Sequence, residues 1–232
     1  MITSHKPRAV CLVSGGLDSC VSAAIAEETC RLAFLHVTYG QRTEKRELKA
    51  FRAIADHYRV QERLETSISY LREIGGSALT DRRIAVPPGN PAREGIPATY
   101  VPFRNTHLIA IAVSWAEVLG ARFIYIGATE MDSSGYPDCR ATYFQAYNRL
   151  IEEGTKPGTS IRIVTPLLHL DKAGVVREGI KRAAPLHLTW SCYAQEDAAC
   201  GRCDSCLLRL KGFREAGAED PIQYSTKYST KT

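Results

Sequence analysis

The sequence predicts an α/β protein with a doubly wound, mostly parallel sheet of five strands. Three observations lead to this fold class. Apolar runs of strand length alternate with helical periodicity over most of the 232 residues, which is typical of a parallel sheet covered by helices on both faces. A Gly-Gly pair follows the first strand, where such sheets bind ligands. Four cysteines near the C-terminus predict a small metal-binding helical appendage.

The first half of the chain contains three predicted strands. Residues 9–14 form the first strand, and a helix follows at 19–28. The apolar run at 31–38 is the second strand. A helix follows it with one apolar face, which is formed by Leu48, Phe51, Ile54, Ala55 and Tyr58. A weak third strand is expected around residues 61–66.

The second half contributes two more strands. The stretch from Arg104 to Leu119 is apolar nearly all round and ends at Gly120, so we expect a buried helix. Residues 122–127 form a strand, a helix closed by Gly154 follows, and residues 161–164 form a short strand. Asp171 is a suitable cap for a helix to about Ala183.

Residues 75–102 interrupt this alternation, with five prolines and four glycines. A loop of this length in a compact domain is usually functional or disordered. We expect a lid over the active site, with a tolerated insertion as the alternative. The predicted organisation is an α/β domain over residues 1–185, a zinc-binding segment over 186–220 and a disordered tail over 221–232.

The composition argues against two classes of protein. With 30 basic and 25 acidic side chains the net charge is +5, which suits an anionic small molecule and is too weak to indicate direct nucleic-acid binding. No run reaches the roughly 18 apolar residues of a membrane helix, and the N-terminus has no apolar signal core. We therefore expect a cytoplasmic protein without a membrane partner, and a homodimer because symmetric dimers are common.

The clearest functional motif is the string Ser14-Gly15-Gly16-Leu17-Asp18-Ser19. Two glycines between a strand and a helix let several backbone N–H groups point at one anion, and phosphate is the usual occupant. The hydroxyls of Ser14 and Ser19 add donors. A carboxylate at Asp18 beside phosphate implies a bridging Mg²⁺. An isolated Gly-Gly pair would indicate an ordinary strand–turn–helix junction, but the complete string favours a phosphate site.

The four clustered cysteines have the spacing C-x₇-C-x₂-C-x₂-C and are Cys192, Cys200, Cys203 and Cys206. Four thiolates on a short segment suit one structural Zn²⁺ per chain, because all four coordination positions are then closed. A [4Fe–4S] cluster is the main alternative, since it also takes four cysteines. A set of free thiols is a weaker alternative.

The phosphate-binding string resembles the pyrophosphate loop of the N-type ATP pyrophosphatases. This resemblance implies an adenine nucleotide alpha hydrolase-like fold, with ATP and Mg²⁺ as co-substrate and cleavage between the α and β phosphates. It implies catalytic roles for Ser14, Asp18 and Ser19, and the further strings given next imply one for Arg104. The implied nucleotide-binding residues are Leu12, Val13, Ser14, Gly15, Gly16, Leu17, Asp18, Ser19, Cys20, Val21 and Ser22 at the loop, and Arg42, Asn105 and Lys172 in those further strings.

Further strings run in the order found in the 7-cyano-7-deazaguanine synthase family, which belongs to the same superfamily. The similarity covers the chain from about Arg8 to Phe213. One departure is the stretch 130–133, where the family more often carries an aromatic residue. The strings are Tyr39-Gly40-Gln41-Arg42, Thr99-Tyr100-Val101-Pro102-Phe103-Arg104-Asn105, Ser134-Gly135-Tyr136-Pro137-Asp138-Cys139-Arg140, Thr165-Pro166-Leu167, Asp171-Lys172 and Thr189-Trp190-Ser191-Cys192.

This second resemblance implies an ATP-dependent ligase. In that family the carboxylate of 7-carboxy-7-deazaguanine is adenylated, and ammonia displaces AMP to give an amide. A second ATP activates the amide, and loss of AMP leaves the nitrile 7-cyano-7-deazaguanine (preQ0), in the pathway to queuosine-type tRNA modification. The resemblance implies that Tyr136, Asp138 and Arg140 bind the substrate. Each also has a plain structural interpretation; Asp138 suits a Tyr-Pro-Asp turn.

Two alternative functions share part of these motifs. A tRNA thiolase or lysidine-type ligase has the same loop, but it would need a basic tRNA-binding surface, and no strong basic stripe appears in the sequence. A zinc-ribbon nucleic-acid-binding protein would explain the cysteines and leave the pyrophosphate loop without a purpose.

Overall fold

The computed structural model describes residues 6–90, 95–130 and 136–225 and contains one five-stranded sheet within those ranges. The central strand is β1 (Arg8–Leu12). On one side lie β2 (Arg31–Thr38) and β3 (Glu62–Ser67), and on the other lie β4 (Phe123–Ile126) and β5 (Arg162–Val164). Every neighbouring pair is parallel. The predicted fold class is confirmed.

The helices connect the strands and cover the sheet. They are α1 (Leu17–Thr29), α2 (Glu44–His57), α3 (Tyr70–Ile74), α4 (Arg104–Leu119), α5 (Ala141–Gly154), α6 (Lys172–Lys181) and α7 (Asp204–Glu215). The sequence did not predict α3, because five residues are too few to show a helical period. The predicted cap of α6 is present, since the Asp171 carboxylate accepts a bond from the Gly174 N–H at 2.7 Å.

Alternate residues of β1 enter two different hydrophobic cores. Ala9 and Cys11 pack with α1 and α2 on one face of the sheet, and Val10 packs with α4 and α5 on the other. This is why the strand has an uninterrupted apolar run. The chain leaves β1 in one direction for β2 and returns on the opposite side for β4. The switch point of the doubly wound sheet therefore lies between β1 and β4, where such folds bind ligands.

The outer face of α4 differs from the prediction of a buried helix. Ile109, Ala112 and Ala116 are buried against the sheet, whereas Val118 is 81% exposed. A helix that is apolar on every side is expected to be covered on every side. In the described chain, α4 is covered on the side that faces the sheet, and its outer side is exposed.

The C-terminal segment also differs from expectation. Residues 221–225 were expected in a disordered tail, but the structure orders them: Ala199 and Tyr224 form an isolated parallel bridge, and the Ser225 N–H donates to the Ala199 carbonyl at 2.9 Å. Residues 226–232 of the expected tail lie outside the described ranges. No helix in the described ranges has both the length and the apolar character needed to cross a membrane.

Candidate active site

A cavity of about 280 Å³ lies at the carboxyl ends of β1 and β4. Residues that follow β1, β2 and β4 line it, together with the start of α4 and residues 190–193. The cavity therefore occupies the switch point, and the predicted pyrophosphate loop forms one of its walls.

The loop is held in shape by its own side chains and by α2. Gly15 has a positive φ of 89°, and a Cβ atom there would lie 2.5 Å from the Glu47 carbonyl oxygen. The Ser14 Oγ accepts the Gly16 N–H at 3.2 Å, and the Ser19 Oγ donates to the Gly16 carbonyl at 3.0 Å. Two hydroxyls thus flank the backbone that would face a phosphate.

A second glycine brings the two halves of the switch point together. Gly127 follows β4, and a Cβ atom there would lie 2.5 Å from the Asp18 carbonyl carbon and 2.7 Å from the Ser19 nitrogen. The end of β4 can therefore touch the first turn of α1 only without a side chain.

Asp18 forms an ion pair with Lys172. The Lys172 Nζ lies 2.8 Å from both carboxylate oxygens, and the pair is partly buried. Lys172 is the first residue of α6, so this contact joins two segments that are 154 residues apart. Asp18 lines the cavity, whereas Lys172 lies behind it.

Arg104 brings a positive charge to the cavity wall. Its Nη1 donates to the Tyr39 hydroxyl at 3.1 Å, and its guanidinium lies 5.3 Å from the centre of the Tyr39 ring. Burial opposes its charge, but Tyr39, Tyr136 and Asp138 together raise its pKa. The Arg104 Nε is buried, and within the described ranges it has no hydrogen-bond partner. One donor of a cationic group is therefore left for a ligand.

Asn105 and Asp138 bind each other. The Asp138 carboxylate accepts the Asn105 N–H at 3.0 Å, and the Asn105 amide donates to the Asp138 carbonyl at 2.9 Å. Asn105 and Tyr136 line the cavity, whereas Asp138 is buried behind them and Arg140 is exposed and lies outside the lining. The three predicted substrate residues thus occupy three different environments.

Arg42 holds a loop. Its guanidinium donates to the carbonyls of Ala78, Asp81 and Ile84 at 2.6–3.0 Å. It also lines the cavity, but these bonds order the chain at 78–84. Among the other predicted nucleotide contacts, Gly15, Cys20, Val21 and Ser22 are buried and lie outside the lining.

The four clustered cysteines converge on one point. Their sulfurs lie within 4.8 Å of one another, and all four residues are buried. Tetrahedral Zn–S bonds of about 2.3 Å place sulfurs about 3.8 Å apart, and the Cys200 and Cys206 sulfurs are 3.9 Å apart. The N–H groups of Ala194, Gln195 and Cys200 point at the Cys192 sulfur at 3.3–3.4 Å. Hydrogen bonds with Cys203 and Cys206 are the largest effect that holds the pKa of Cys192 well below its usual range. The N–H groups of Cys200 and Ala194 lower this pKa further. The donor set fits a single thiophilic ion.

The model of the queuosine biosynthesis protein QueC family matches residues 8–217. The chain belongs to the QueC family. A relative from Chlorobium chlorochromatii is 55% identical over 221 residues, covering 95% of this chain and 97% of its own. Another from Acidobacterium capsulatum is 55% identical over 229 residues, covering 97% and 99%. Both are named 7-cyano-7-deazaguanine synthase. Among solved structures, the chain is similar to the U34-tRNA thiolase NcsA from Methanococcus maripaludis, with 14% sequence identity and a TM-score of 0.47. The match covers 82% of this chain and 61% of the thiolase chain. Similarity at this level does not indicate function.

In this QueC chain the cysteine segment (residues 192–206) contacts the loop that precedes α4. The Gly89 N–H donates to the Arg202 carbonyl at 2.8 Å, and the Asn90 N–H donates to the Asp204 carboxylate at 2.7 Å. Val86 packs against the buried cysteines. The predicted lid is therefore anchored at residues 86–90. Residues 91–94 of it, and residues 131–133 of the stretch that departs from the family pattern, lie outside the described ranges.

Arg209 of α7 connects the cysteine segment to the cavity wall of the QueC fold. The residue is buried, and its guanidinium donates to the hydroxyls of Thr189 and Ser191 at 2.7 and 3.2 Å. It also forms a two-pronged ion pair with Asp220 at 2.7 and 2.9 Å. Because Ser191 lines the cavity, the C-terminal helix supports the active site directly.

Sequence reasoning missed several lining residues of the QueC site. Glu47 is the second carboxylate of the lining beside Asp18, and Trp190 and Tyr193 supply aromatic walls. Beneath the loop, the His36 Nδ1 lies 2.9 Å from the Val13 carbonyl, and burial lowers the pKa of this histidine. Trp190 belongs to one of the strings that resemble the family, but no site role was assigned to it from the sequence. No local pattern pointed to Glu47, because it reaches the cavity from within an amphipathic helix.

Proposed function

We propose that this chain is an ATP-dependent ligase that converts 7-carboxy-7-deazaguanine and ammonia to 7-cyano-7-deazaguanine. The observation that carries the proposal is a complete pyrophosphate loop in the wall of a switch-point cavity. The relatives that bear this enzyme's name are 52–55% identical and cover nearly the whole chain, which supports the same activity here.

In the proposed reaction, the substrate carboxylate attacks the α-phosphorus of ATP, and pyrophosphate leaves with the electron pair of the broken P–O bond. The loop N–H groups and the hydroxyls of Ser14 and Ser19 would bind that pyrophosphate. Asp18, which Lys172 orients, would meet the Mg²⁺ that accompanies ATP. The free donor of Arg104 would neutralise the carboxylate or the α-phosphate.

Ammonia then attacks the acyl carbon, AMP leaves, and the amide forms. The amide oxygen attacks the α-phosphorus of a second ATP and expels pyrophosphate, and loss of AMP together with two protons then leaves the nitrile. Every intermediate keeps the deazapurine ring in place, so one ring site serves both halves of the reaction. We assign the ring to the aromatic walls Tyr136 and Tyr193, with Asn105 and the buried Asp138 fixing the adjoining backbone.

We further propose that the four cysteines hold one structural Zn²⁺. The close approach of the four sulfurs supports a single ion, because a [4Fe–4S] cluster has one iron for each ligand sulfur and spreads the sulfurs apart. With four sulfur ligands the ion has no open position, so it would supply structure and no chemistry.

The loop at 75–102 is proposed to close over the bound ligands. The cavity of about 280 Å³ is below the usual range of about 300–1,000 Å³ for one small ligand, whereas the reaction needs ATP and a deazapurine together. Closure of the loop would enclose both ligands. Arg42 and the contacts of residues 86–90 hold the described residues 78–90 in place during that closure.

Two further assignments complete the proposal. The exposed outer face of α4 is compatible with a homodimer, which sedimentation would test. Eight cysteines, four of them converging on one point, suit a reducing compartment such as the cytoplasm.

The test is product analysis by mass spectrometry. Purified protein is incubated with ATP, Mg²⁺, ammonium and 7-carboxy-7-deazaguanine, and the expected products are the nitrile, AMP and pyrophosphate. Formation of ADP and orthophosphate would contradict the proposal. AMP release that requires tRNA and ignores the deazapurine would favour the tRNA-modifying alternative.

A further inference from the structure

The cavity contains a carboxylate that the proposed reaction does not yet use. Glu47 lies in the first turn of α2 and lines the cavity. Its Oε1 accepts the Thr43 hydroxyl at 2.7 Å, and its Oε2 accepts the Gln41 amide at 3.0 Å. The lining has one other carboxylate within the described ranges, Asp18, which pairs with Lys172 and is already assigned to the Mg²⁺ of ATP.

The hydrogen bonds fix Glu47 as an acceptor. The Gln41 amide oxygen is occupied by the Tyr39 N–H at 2.8 Å, so the Gln41 group that faces Glu47 must be the NH₂ donor. Two donors use about half of the roughly four acceptor positions of a carboxylate. The remaining positions are available on the cavity side.

Glu47 has no cationic partner within the described chain. None of the described Lys, Arg or His side chains forms an ion pair with it at 4.0 Å or less. Arg104 is near enough to lower its pKa, but burial is the larger effect and raises it, while the Arg104 hydrogen bond goes to Tyr39. A half-buried carboxylate that lines a cavity and has no counter-ion favours a small cation from solution.

The walls next to Glu47 suit such a cation. Tyr193 lines the same cavity, and aromatic faces attract ammonium groups. The rings of Tyr39 and Trp190 already contact the guanidinium groups of Arg104 and Arg46. Thr43 and Gln41 are almost fully buried, so the carboxylate is held in one position. The phosphate-binding loop and Arg104 serve the anionic ligands, and Glu47 is left for a ligand of opposite charge.

We infer that Glu47 is the ammonium site of this enzyme: it binds NH₄⁺ and takes one proton from it. This inference rests on the proposed function. The freed lone pair of NH₃ attacks the acyl carbon of the adenylate, the bond from that carbon to the AMP oxygen breaks, and AMP leaves with the electron pair. The nitrogen then loses a second proton to water, which leaves the neutral amide and a protonated Glu47 that returns its proton to solvent.

The experiment compares Glu47→Gln with Glu44→Gln. Glu44 lies in the same first turn of α2 and outside the cavity lining, so the second variant removes an equal charge from the same turn and leaves the lining residues unchanged. Three reactions are measured for each protein: acid-dependent ATP–pyrophosphate exchange, amide formation as a function of ammonium concentration, and hydroxamate formation with hydroxylamine. Exchange needs no nitrogen nucleophile, and hydroxylamine is largely uncharged at neutral pH.

In Glu47→Gln the KM for ammonium should rise about tenfold or more, as expected for loss of a charge-assisted bond. Exchange and hydroxamate formation should remain within about twofold of the wild type, since a change of that size is below 0.5 kcal/mol. Conversion of the supplied amide to the nitrile needs no ammonia and should also persist. Glu44→Gln should match the wild type in every reaction.

An unchanged KM for ammonium would overturn the assignment. Loss of exchange together with a raised KM for ATP would also overturn it, because Glu47 would then be a support for the loop. If Glu47→Gln does not fold, Glu47→Asp keeps the charge on a shorter side chain and should raise the ammonium KM alone. If the wild type shows no acid-dependent exchange, the proposed function itself fails, and this outcome is distinct from failure of the Glu47 assignment.

Discussion

Asp138 shows how one side chain can support two interpretations. The family resemblance implies a substrate contact, whereas the structure buries the carboxylate behind the cavity and bonds it to the Asn105 N–H. Helix α4 begins after Phe103, which has a positive φ of 59° and provides no side-chain cap. Asp138 therefore supplies from a distant segment the acceptor that the start of α4 lacks.

Two substitutions separate these interpretations. Asp138→Asn keeps an oxygen that can accept the Asn105 N–H, so its free energy of unfolding in urea should match the wild type. Asp138→Ala removes that acceptor and should lose about 1–2 kcal/mol. If the carboxylate also orients the deazapurine, both variants should raise the KM for the acid and leave the KM for ATP unchanged. Full turnover by Asp138→Asn would refute the substrate role.

Residues that act through a local string could be predicted from the sequence, and residues that act through tertiary contacts could not. Ser14 and Asp18 belong to one continuous motif and lie on the cavity wall as predicted. Arg42 also belongs to a family string, but the string does not show that its guanidinium is bonded to the carbonyls at 78–84. Glu47 and Tyr193 face the cavity only because distant elements pack together.

At the scale of elements, the spacing of apolar residues along the sequence predicted the strands and helices that bury one well-defined face. The edge strand β3 gave a weak signal because its residues alternate between half-buried and exposed positions, and its apolar content is low. The extent of cover on α4 could not be read from its composition, since an apolar sequence does not specify which neighbours reach it. The switch point itself depends on Gly127, whose role is visible only when β4 lies beside α1.

Gly127→Ala tests that contact. The new Cβ would meet backbone atoms at 2.5–2.7 Å, so the end of β4 or the start of α1 must shift. The cost should be about 1–3 kcal/mol in the free energy of unfolding, with a raised KM for ATP because the pyrophosphate loop moves.

The matched control is Gly154→Ala. Gly154 ends α5, and a Cβ there meets no atom within 4 Å. This variant should be unchanged or up to about 1 kcal/mol more stable, because alanine favours a helix over glycine. Equal stability of the two variants would show that the close approach of β4 to α1 is not required.

At the scale of the whole molecule, the cysteine segment joins three separate parts of the chain. It carries the predicted metal ligands, it accepts hydrogen bonds from residues 89 and 90, and α7 beyond it holds the cavity wall through Arg209. The spacing of the cysteines predicted the ligand set. It could not predict the docking of a loop that lies about a hundred residues earlier.

Removal of the metal should therefore loosen the active site as well as the C-terminus. Cys203→Ser should lose the proposed zinc, as measured by elemental analysis. Its Tm should fall by about 10 °C or more. A structural zinc site contributes several kcal/mol to the free energy of unfolding, and each kcal/mol lost lowers the Tm by about 2–4 °C. Limited proteolysis should then cut within residues 84–90, where the wild type resists.

Cys30→Ser provides the control, because Cys30 is a buried thiol outside the cysteine segment. Its zinc content and its cleavage pattern should equal those of the wild type. Cleavage of Cys203→Ser at the wild-type rate would show that the loop does not depend on the metal site.

The ion pair between Arg209 and Asp220 has a consequence for biosynthesis. The guanidinium is 1% exposed and the carboxylate 4%, and the two residues are 11 positions apart. A ribosome delivers Asp220 after every strand of the sheet. A product terminated before that point would carry an uncompensated charge in its interior, at a cost of about 3–5 kcal/mol. Quality-control proteases would then remove prematurely terminated copies, and the cell would accumulate full-length enzyme.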